Sequence, residues 1–163
     1  MSVTGPTVTL RPATIRDRSL MLRVYASVRE PELERSGLPR EQWGPFVEHQ
    51  FEAQSQAYAK YPDTSFEMIL VDDEPAGRLI VARWPEELRV VDIALLPEHR
   101  GRGVAGELMR SLLTEADERG VKASIHVERF NPAQRLYTRL GFRPVAETGV
   151  YLLLERPPRQ PAD

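Results

Sequence analysis

The chain has 163 residues, 41% of them hydrophobic and 28% charged, with a formal net charge of -2 and no cysteine. That length suits one domain with a substantial core, and the composition is that of an ordinary soluble globular protein. The charge gives no electrostatic reason to expect a nucleic acid or a membrane as partner, and the missing cysteine excludes disulfides, thiolate nucleophiles and thiolate metal sites.

Met1-Ser2-Val3-Thr4-Gly5-Pro6 has no signal-peptide core, and no apolar run approaches bilayer-spanning length, so a cytoplasmic location is expected. Val8-Thr9-Leu10-Arg11 alternates as a short strand that Pro12 ends. Thr14-Ile15-Arg16-Asp17 has the form of a capping box, with Met21, Val24, Tyr25 and Val28 following at helical spacing. Gly37 to Gly44 reads as a break, after which Pro45 suits the first position of a helix running to about Tyr58.

Residues 66–71 and 78–84 read as strands of an antiparallel hairpin whose connecting loop is 72–77. Residues 88–96 form the longest apolar strand candidate, and their lack of alternation predicts burial on both faces. The helix after the following glycine cluster shows Val104, Leu108, Leu112 and Ala116 at i+4 spacing, with Arg119 and Gly120 as stop signals. Another strand covers 123–127. Asn131 and Pro132 then start a helix bearing Ala133, Leu136, Tyr137 and Leu140, and Gly141 fits the position just past its end. Strands at 142–146 and 150–154 flank the turn at Thr148-Gly149. The order βααβββαβαββ predicts a mixed α/β (α+β) fold in one domain, with its core over about 7–155 and a tail at 156–163.

The cluster itself, Gly101-Arg102-Gly103-Val104-Ala105-Gly106, places side-chain-free amides where a helix begins, a site suited to phosphate. Its letters also spell G-x-G-x-x-G, the dinucleotide fingerprint, and Glu128 lies about 20 residues on, where a ribose-binding acid is expected. Against that reading, Pro97-Glu98-His99-Arg100 separate the glycines from the strand, and too few βαβ units follow. A purely structural reading, in which the glycines let the helix pack close to a strand, leaves Arg100 and Arg102 unexplained, since two guanidiniums suit a diphosphate better than a packing contact.

Arg100-Gly101-Arg102-Gly103-Val104-Ala105 matches (Q/R)-x-x-G-x-(G/A), and it is accompanied by Ile93-Ala94-Leu95-Leu96-Pro97-Glu98-His99 and by Asn131…Leu136-Tyr137-Thr138-Arg139-Leu140-Gly141-Phe142. Together these resemble the GNAT superfamily of N-acetyltransferases. The resemblance implies a mostly antiparallel sheet of six to seven strands with four helices, and acetyl-CoA as co-substrate. It implies that Arg100, Gly101, Arg102, Gly103, Val104 and Ala105 hold the CoA pyrophosphate. Ile93, Ala94 and Leu95 would pair by their backbone with the pantetheine arm, and one of their N–H groups would stabilise the oxyanion. Asn131 would touch the pantetheine amide, although it stands six residues before Tyr137 where the family usually has seven; as a helix cap it needs no ligand.

Acyl transfer to an amine needs an unprotonated nucleophile, oxyanion stabilisation and a proton for the departing thiolate. The resemblance gives Tyr137 the last task, although its spacing also suits a core aromatic. For the base, His126 and Glu128 share one face of their strand, His126 with an ordinary pKa near 6.5, and Asp92 inside an apolar strand is a third candidate. The acceptor, a small-molecule or peptide amine, would meet Tyr25, Glu32, Glu34, Trp43, Phe46 and Tyr151. The alternative function is a non-catalytic acyl-CoA-binding module or sensor. Metal catalysis is not expected, because His49, His99 and His126 show no ligand spacing; a homodimer is compatible with the sequence.

Overall fold

Thr14 starts the first helix as the capping box predicts. Its Oγ1 accepts from the Arg16 N–H (3.3 Å), and the Asp17 carboxylate accepts from the Thr14 N–H (2.8 Å). The resulting 3-10 turn, Ile15–Asp17, runs directly into α1 (Arg18–Ser36), which ends at Gly37 in the left-handed region (φ 78). Both terminal nitrogens of Arg11 donate to Asp17 at 2.8 Å, and this guanidinium holds the Asp17 carboxyl down at about 2 against the opposing effect of burial.

The computed structural model describes residues 5–129, 131, 133–149 and 151–160. Its strands are β1 (Val8–Pro12), β2 (Thr64–Val71), β3 (Glu74–Trp84), β4 (Glu87–Leu95), β5 (Lys122–Glu128), β6 (Arg143–Thr148) and β7 (Tyr151–Arg156). The other helices are α2 (Trp43–Ala59), α3 (Val104–Arg119) and α4 (Gln134–Arg139). The strands form one seven-stranded sheet in the order β1-β2-β3-β4-β5-β7-β6. β1/β2, β5/β7 and β6/β7 are antiparallel and β4/β5 is parallel. The mixed, mostly antiparallel architecture with four helices is the expected one.

Three details differ from the sequence reading. The β2–β3 connection is only Asp72-Asp73, both at positive φ (50 and 67), so residues 74–77 belong to β3 rather than to a loop. A two-residue turn of this hand matches strand twist, and aspartate tolerates it. α2 begins at Trp43, two residues before Pro45, because the 3-10 turn Arg40–Gln42 leads into it. α4 is shorter than expected and begins at Gln134. The expected starts at Pro132 and Val150 lie outside the described residues.

Contacts gather the chain into two compact units. The first comprises residues up to Tyr61 with Phe66–Leu79 and Ile93–Arg102. Its core joins α1 and α2 through Tyr25, Leu33, Val47 and Phe51, with the Tyr25 and Phe51 rings 5.7 Å apart. The second comprises Pro62–Ser65, Ile80–Asp92 and everything from Gly103 onward. In it the i+4 stripe Val104, Leu108, Leu112 and Ala116 is buried, as are Leu88, Val90, Ala123, Ile125 and Val127. No helix among the described residues is long and apolar enough to cross a membrane.

Candidate active site

In the first unit the site residues lie at the end of β4 and in the loop after it. β4 does not have both faces buried throughout. Leu88 and Val90 are buried and their neighbours partly open, and residues 91–94 are all intermediate. Its ladder with β5 stops at Val90↔Ile125, so Ile93, Ala94 and Leu95 lie beyond that pairing. Gly77 of β3 faces this segment, and a Cβ there would collide with the Ala94 carbonyl oxygen and stand 3.0 Å from Leu95 Cα. The sequence reading places Gly77 in a turn; a glycine inside a strand pattern is the signal for such close backbone approach.

After β4 the 3-10 turn Pro97–His99 buries His99, whose Nδ1 has no hydrogen-bond partner among the described residues. Arg100 then turns its guanidinium back onto the protein. Nε donates to the Leu95 carbonyl (3.0 Å), and one terminal nitrogen donates to Ser27 Oγ (3.0 Å). Arg100 thus anchors the last peptide of β4. Arg102 instead makes one long, exposed ion pair with Asp72 at 3.7 Å.

Gly101 (φ 75) and Gly103 (φ 80) both take the left-handed conformation, and nothing lies within 4 Å of where a Cβ would stand on either. The close-packing explanation of the glycines therefore fails at these two positions. What they supply is backbone conformation with open space in front. Gly103 caps α3 without any side-chain hydrogen bond, and the first intrahelical bond runs from the Glu107 N–H to the Gly103 carbonyl (3.0 Å). The N–H groups of Val104, Ala105 and Gly106 are the free ends of the helix, an anion site in composition and charge.

In the second unit Tyr137 is 3% exposed on α4, with the Phe142 ring edge-on at 6.1 Å and the Phe142 N–H donating to the Tyr137 carbonyl (3.0 Å). Burial, and secondarily the Asp92 carboxylate, push its hydroxyl up to about 12, so it carries its proton throughout the neutral range. Asn131 Oδ1 accepts from the Ala133 N–H (2.7 Å), the capping function that needs no ligand.

His126 stands exposed on β5, paired with Leu153 of β7, on the same face as Ser124. Its pKa is lowered, first by loss of water around the ring and then by the positive charge of Arg89, with Glu87 opposing. Arg89 is itself fixed, donating to Ser124 Oγ (3.0 Å) and pairing with Glu87 (2.8 Å). Glu128 ends the same face, opposite Tyr151.

Residues 33–142 match the sequence model of the Acetyltransferase (GNAT) family. The chain belongs to the GNAT family. Membership agrees with the expected N-acetyltransferase class and with acetyl-CoA as co-substrate. Among curated proteins, streptothricin acetyltransferase of Streptomyces lavendulae is 35% identical over 82 residues, which is 48% of this chain and 43% of that protein. The chain thus matches less than half the length of that relative.

Two solved structures share the fold over nearly their whole lengths. PaiA N-acetyltransferase from Thermoplasma acidophilum, in complex with coenzyme A, has a TM-score of 0.68 at 15% identity over 93% of this chain and 99% of its own. An acetyltransferase from Thermus thermophilus has 0.66 at 24% identity over 93% and 97%.

Of the residues expected to meet the acceptor in this GNAT chain, Tyr25 is core, lying beneath the Arg29 guanidinium at 5.1 Å. Trp43 holds the α1–α2 turn by donating to the Leu38 carbonyl (2.8 Å). Glu32 and Glu34 pair with Arg29 and Arg40. Phe46 remains 44% exposed beside a hollow of about 320 Å³ lined by Ser36, Gly37, Leu38 and Pro39. Tyr151 belongs to the other unit, 38% exposed. Sequence reasoning missed buried Arg78, which donates to Gln54 (2.6 Å) and stands over Tyr25 and Phe51.

Proposed function

We propose that the protein is an acetyl-CoA-dependent N-acetyltransferase that transfers the acetyl group to a primary amine by direct attack on the thioester. The observation that carries the reading is the uncapped start of α3 behind two positive-φ glycines with open space in front. The N–H groups of Val104, Ala105 and Gly106 take the diphosphate, and Gly101 and Gly103 let the backbone turn toward it. Arg102 exchanges its weak surface pair with Asp72 for a phosphate, while Arg100 acts through the peptide that it anchors. The backbone of Ile93, Ala94 and Leu95 pairs with the pantetheine arm and supplies an oxyanion donor, as the family resemblance implies, and Asn131 contributes to the same arm through its side-chain amide.

An alkylamine with a pKa of about 10.4 is under one part in a thousand neutral at pH 7, so a base is needed. His126, kept neutral by its surroundings, takes the ammonium proton directly or through water, and the freed nitrogen attacks the carbonyl carbon. The tetrahedral intermediate then expels the thiolate as the C–S bond breaks, Tyr137 gives its proton to sulfur, and the remaining extra proton on nitrogen passes through water to the Tyr137 oxygen, leaving a neutral amide. Glu128 and Asp92 are the alternative bases.

The acceptor is a small-molecule amine, a reading supported by the local identity to streptothricin acetyltransferase. A cytoplasmic site of action fits this chemistry. Thermal denaturation with CoA and with NADH, followed by acetyl transfer across streptothricin, simple polyamines and lysine peptides, tests the reading. Stabilisation by CoA with turnover of an amine is expected. Stabilisation by NADH alone would reinstate the dinucleotide reading, and CoA binding without turnover of any amine would leave a sensor.

A further inference from the structure

Arg156 ends β7 with only 5% of its surface exposed, and the reaction above makes no use of its charge. An arginine is rarely buried so fully without partners. Both terminal nitrogens bind the Asp117 carboxylate of α3, at 2.8 and 3.3 Å, and Nε donates to the Leu140 carbonyl just past α4 (3.1 Å). Asp117 lies in the last turn of α3, where the helix dipole disfavours a negative charge, so it is placed for its partner rather than for its helix. Its Oδ1 also accepts from the Arg159 N–H (2.8 Å). These groups, all in the second unit, form a clamp across the C-terminal ends of α3 and α4.

α4 needs fastening from outside. It has six residues, Gln134–Arg139, and isolated helices shorter than about 12 residues are marginal in water. At its start Asn131 Oδ1 accepts from the Ala133 N–H (2.7 Å), and Gln134 Nε2 donates to the Glu128 carbonyl of β5 (3.2 Å). At its end Arg156 takes hold of Leu140, whose own N–H donates to the Leu136 carbonyl (3.0 Å). The chain then turns at Gly141 (φ 101) against the Arg159 guanidinium, and Phe142 closes onto Tyr137 by backbone and ring. Tyr137 thus sits between two fastenings, one at each end of α4.

A general acid works only within hydrogen-bond reach of the atom it protonates. We propose that Arg156 is a positioning residue for this reaction: anchored on Asp117, it sets the angle of α4 and so the reach of the Tyr137 hydroxyl toward the leaving sulfur. This rests on the assignment of Tyr137 as acid in the acetyl-transfer reading above. Lysine in its place would keep a cation near Asp117, but one ammonium cannot grip both carboxylate oxygens and the Leu140 carbonyl.

Steady-state acetyl transfer from acetyl-CoA to streptothricin, spermidine and a lysine peptide, in wild type, Arg156→Lys, Tyr137→Phe and the double variant, tests the assignment. Circular dichroism checks that each variant folds. Arg156→Lys should lower kcat by about tenfold to a hundredfold, as for a catalytic group displaced by about 1 Å, with the KM for acetyl-CoA unchanged. In the Tyr137→Phe background the same substitution should cost less than about twofold, because no hydroxyl is left to misplace. An unchanged kcat, an equal loss in both backgrounds, or a rise in KM alone would overturn the positioning role while leaving the acetyl-transfer reading intact. If Arg156→Lys does not fold, Asp117→Asn takes its place under the same criteria, since it keeps an accepting oxygen for Arg156 but loosens the clamp by removing the charge. Normal turnover by Tyr137→Phe, or none by wild type with any of the amines, would overturn the underlying reading and this inference with it.

Discussion

Gly77 of β3 lies directly against the Ala94 carbonyl of β4, with no room for a methyl group between the two backbones. The atoms in the way belong to a strand, which cannot rotate aside as a long side chain would. Gly77→Ala should therefore destabilise the fold by about 1–3 kcal/mol, the usual cost of overpacking. Urea denaturation reads that loss directly. If the Ile93–Leu95 backbone pairs with the donor, the same variant should raise the KM for acetyl-CoA; an unchanged KM in a destabilised variant would detach this stretch from binding.

Tyr137 is nearly as buried as any core residue, yet its hydroxyl is the group assigned to the leaving thiolate. Tyr137→Phe keeps the ring and its contact with Phe142. Turnover should fall by about 10² to 10⁴, the range for loss of a general acid, while CoA affinity measured by titration stays close to wild type. A variant with normal turnover would return Tyr137 to the core.

The His126 ring loses its proton more readily than a free histidine, whose ordinary value is 6.5, so the neutral form prevails at pH 7. With His126 as base, kcat/KM should decline on the acidic side only below that ordinary value, and His126→Ala should lose both most of the rate and this limb. Persistence of the limb in the variant would assign it to Glu128 or Asp92. Stability follows the same sign. A folded-state pKa below the unfolded one means that the native chain binds fewer protons, so acidification through this range draws down stability.

Asp17 ties the first helix to β1 by accepting from Arg11 and from the Thr14 backbone. Asp17→Asn should cost about 1–2 kcal/mol, as for other lost helix caps with a charged partner. Its folded pKa of about 2 lies below the ordinary value of 3.8, so the contribution is present above that value and disappears as pH falls toward 2. Wild type should converge on the variant in acid denaturation across that window; a constant difference between them would mean that the carboxylate charge contributes nothing.

Much of this molecule can be read from its letters, because the decisive features are local. The capping box at Thr14 and the glycines at 101 and 103 each fix a backbone conformation within a few residues, and both appear where expected. Features that depend on distant partners are not readable in this way. Arg100 looks like a phosphate ligand until Leu95 and Ser27 are seen to engage it. Tyr25 looks like an acceptor-pocket aromatic until α2 brings Phe51 against it. Pro75 and Gly77 mimic a loop because Asp72-Asp73 makes the turn without either residue. Strand alternation singles out His126, but Arg89, which helps to hold its ring neutral, lies 37 positions earlier, beyond the reach of any local pattern.

The position of β7 has a consequence for how the protein is made. β7 is the seventh strand described, yet it lies between β5 and β6 and pairs antiparallel with each, the β6 pairing shifting register between Pro144 and Ala146. During synthesis the second unit cannot complete its sheet until Arg156 has left the ribosome, so β5 and β6 wait with open edges beside apolar Ile125 and Val127. The nascent chain is then most exposed to misassociation just before β7 emerges, and slow translation of the codons for β7 would lengthen that interval rather than assist folding.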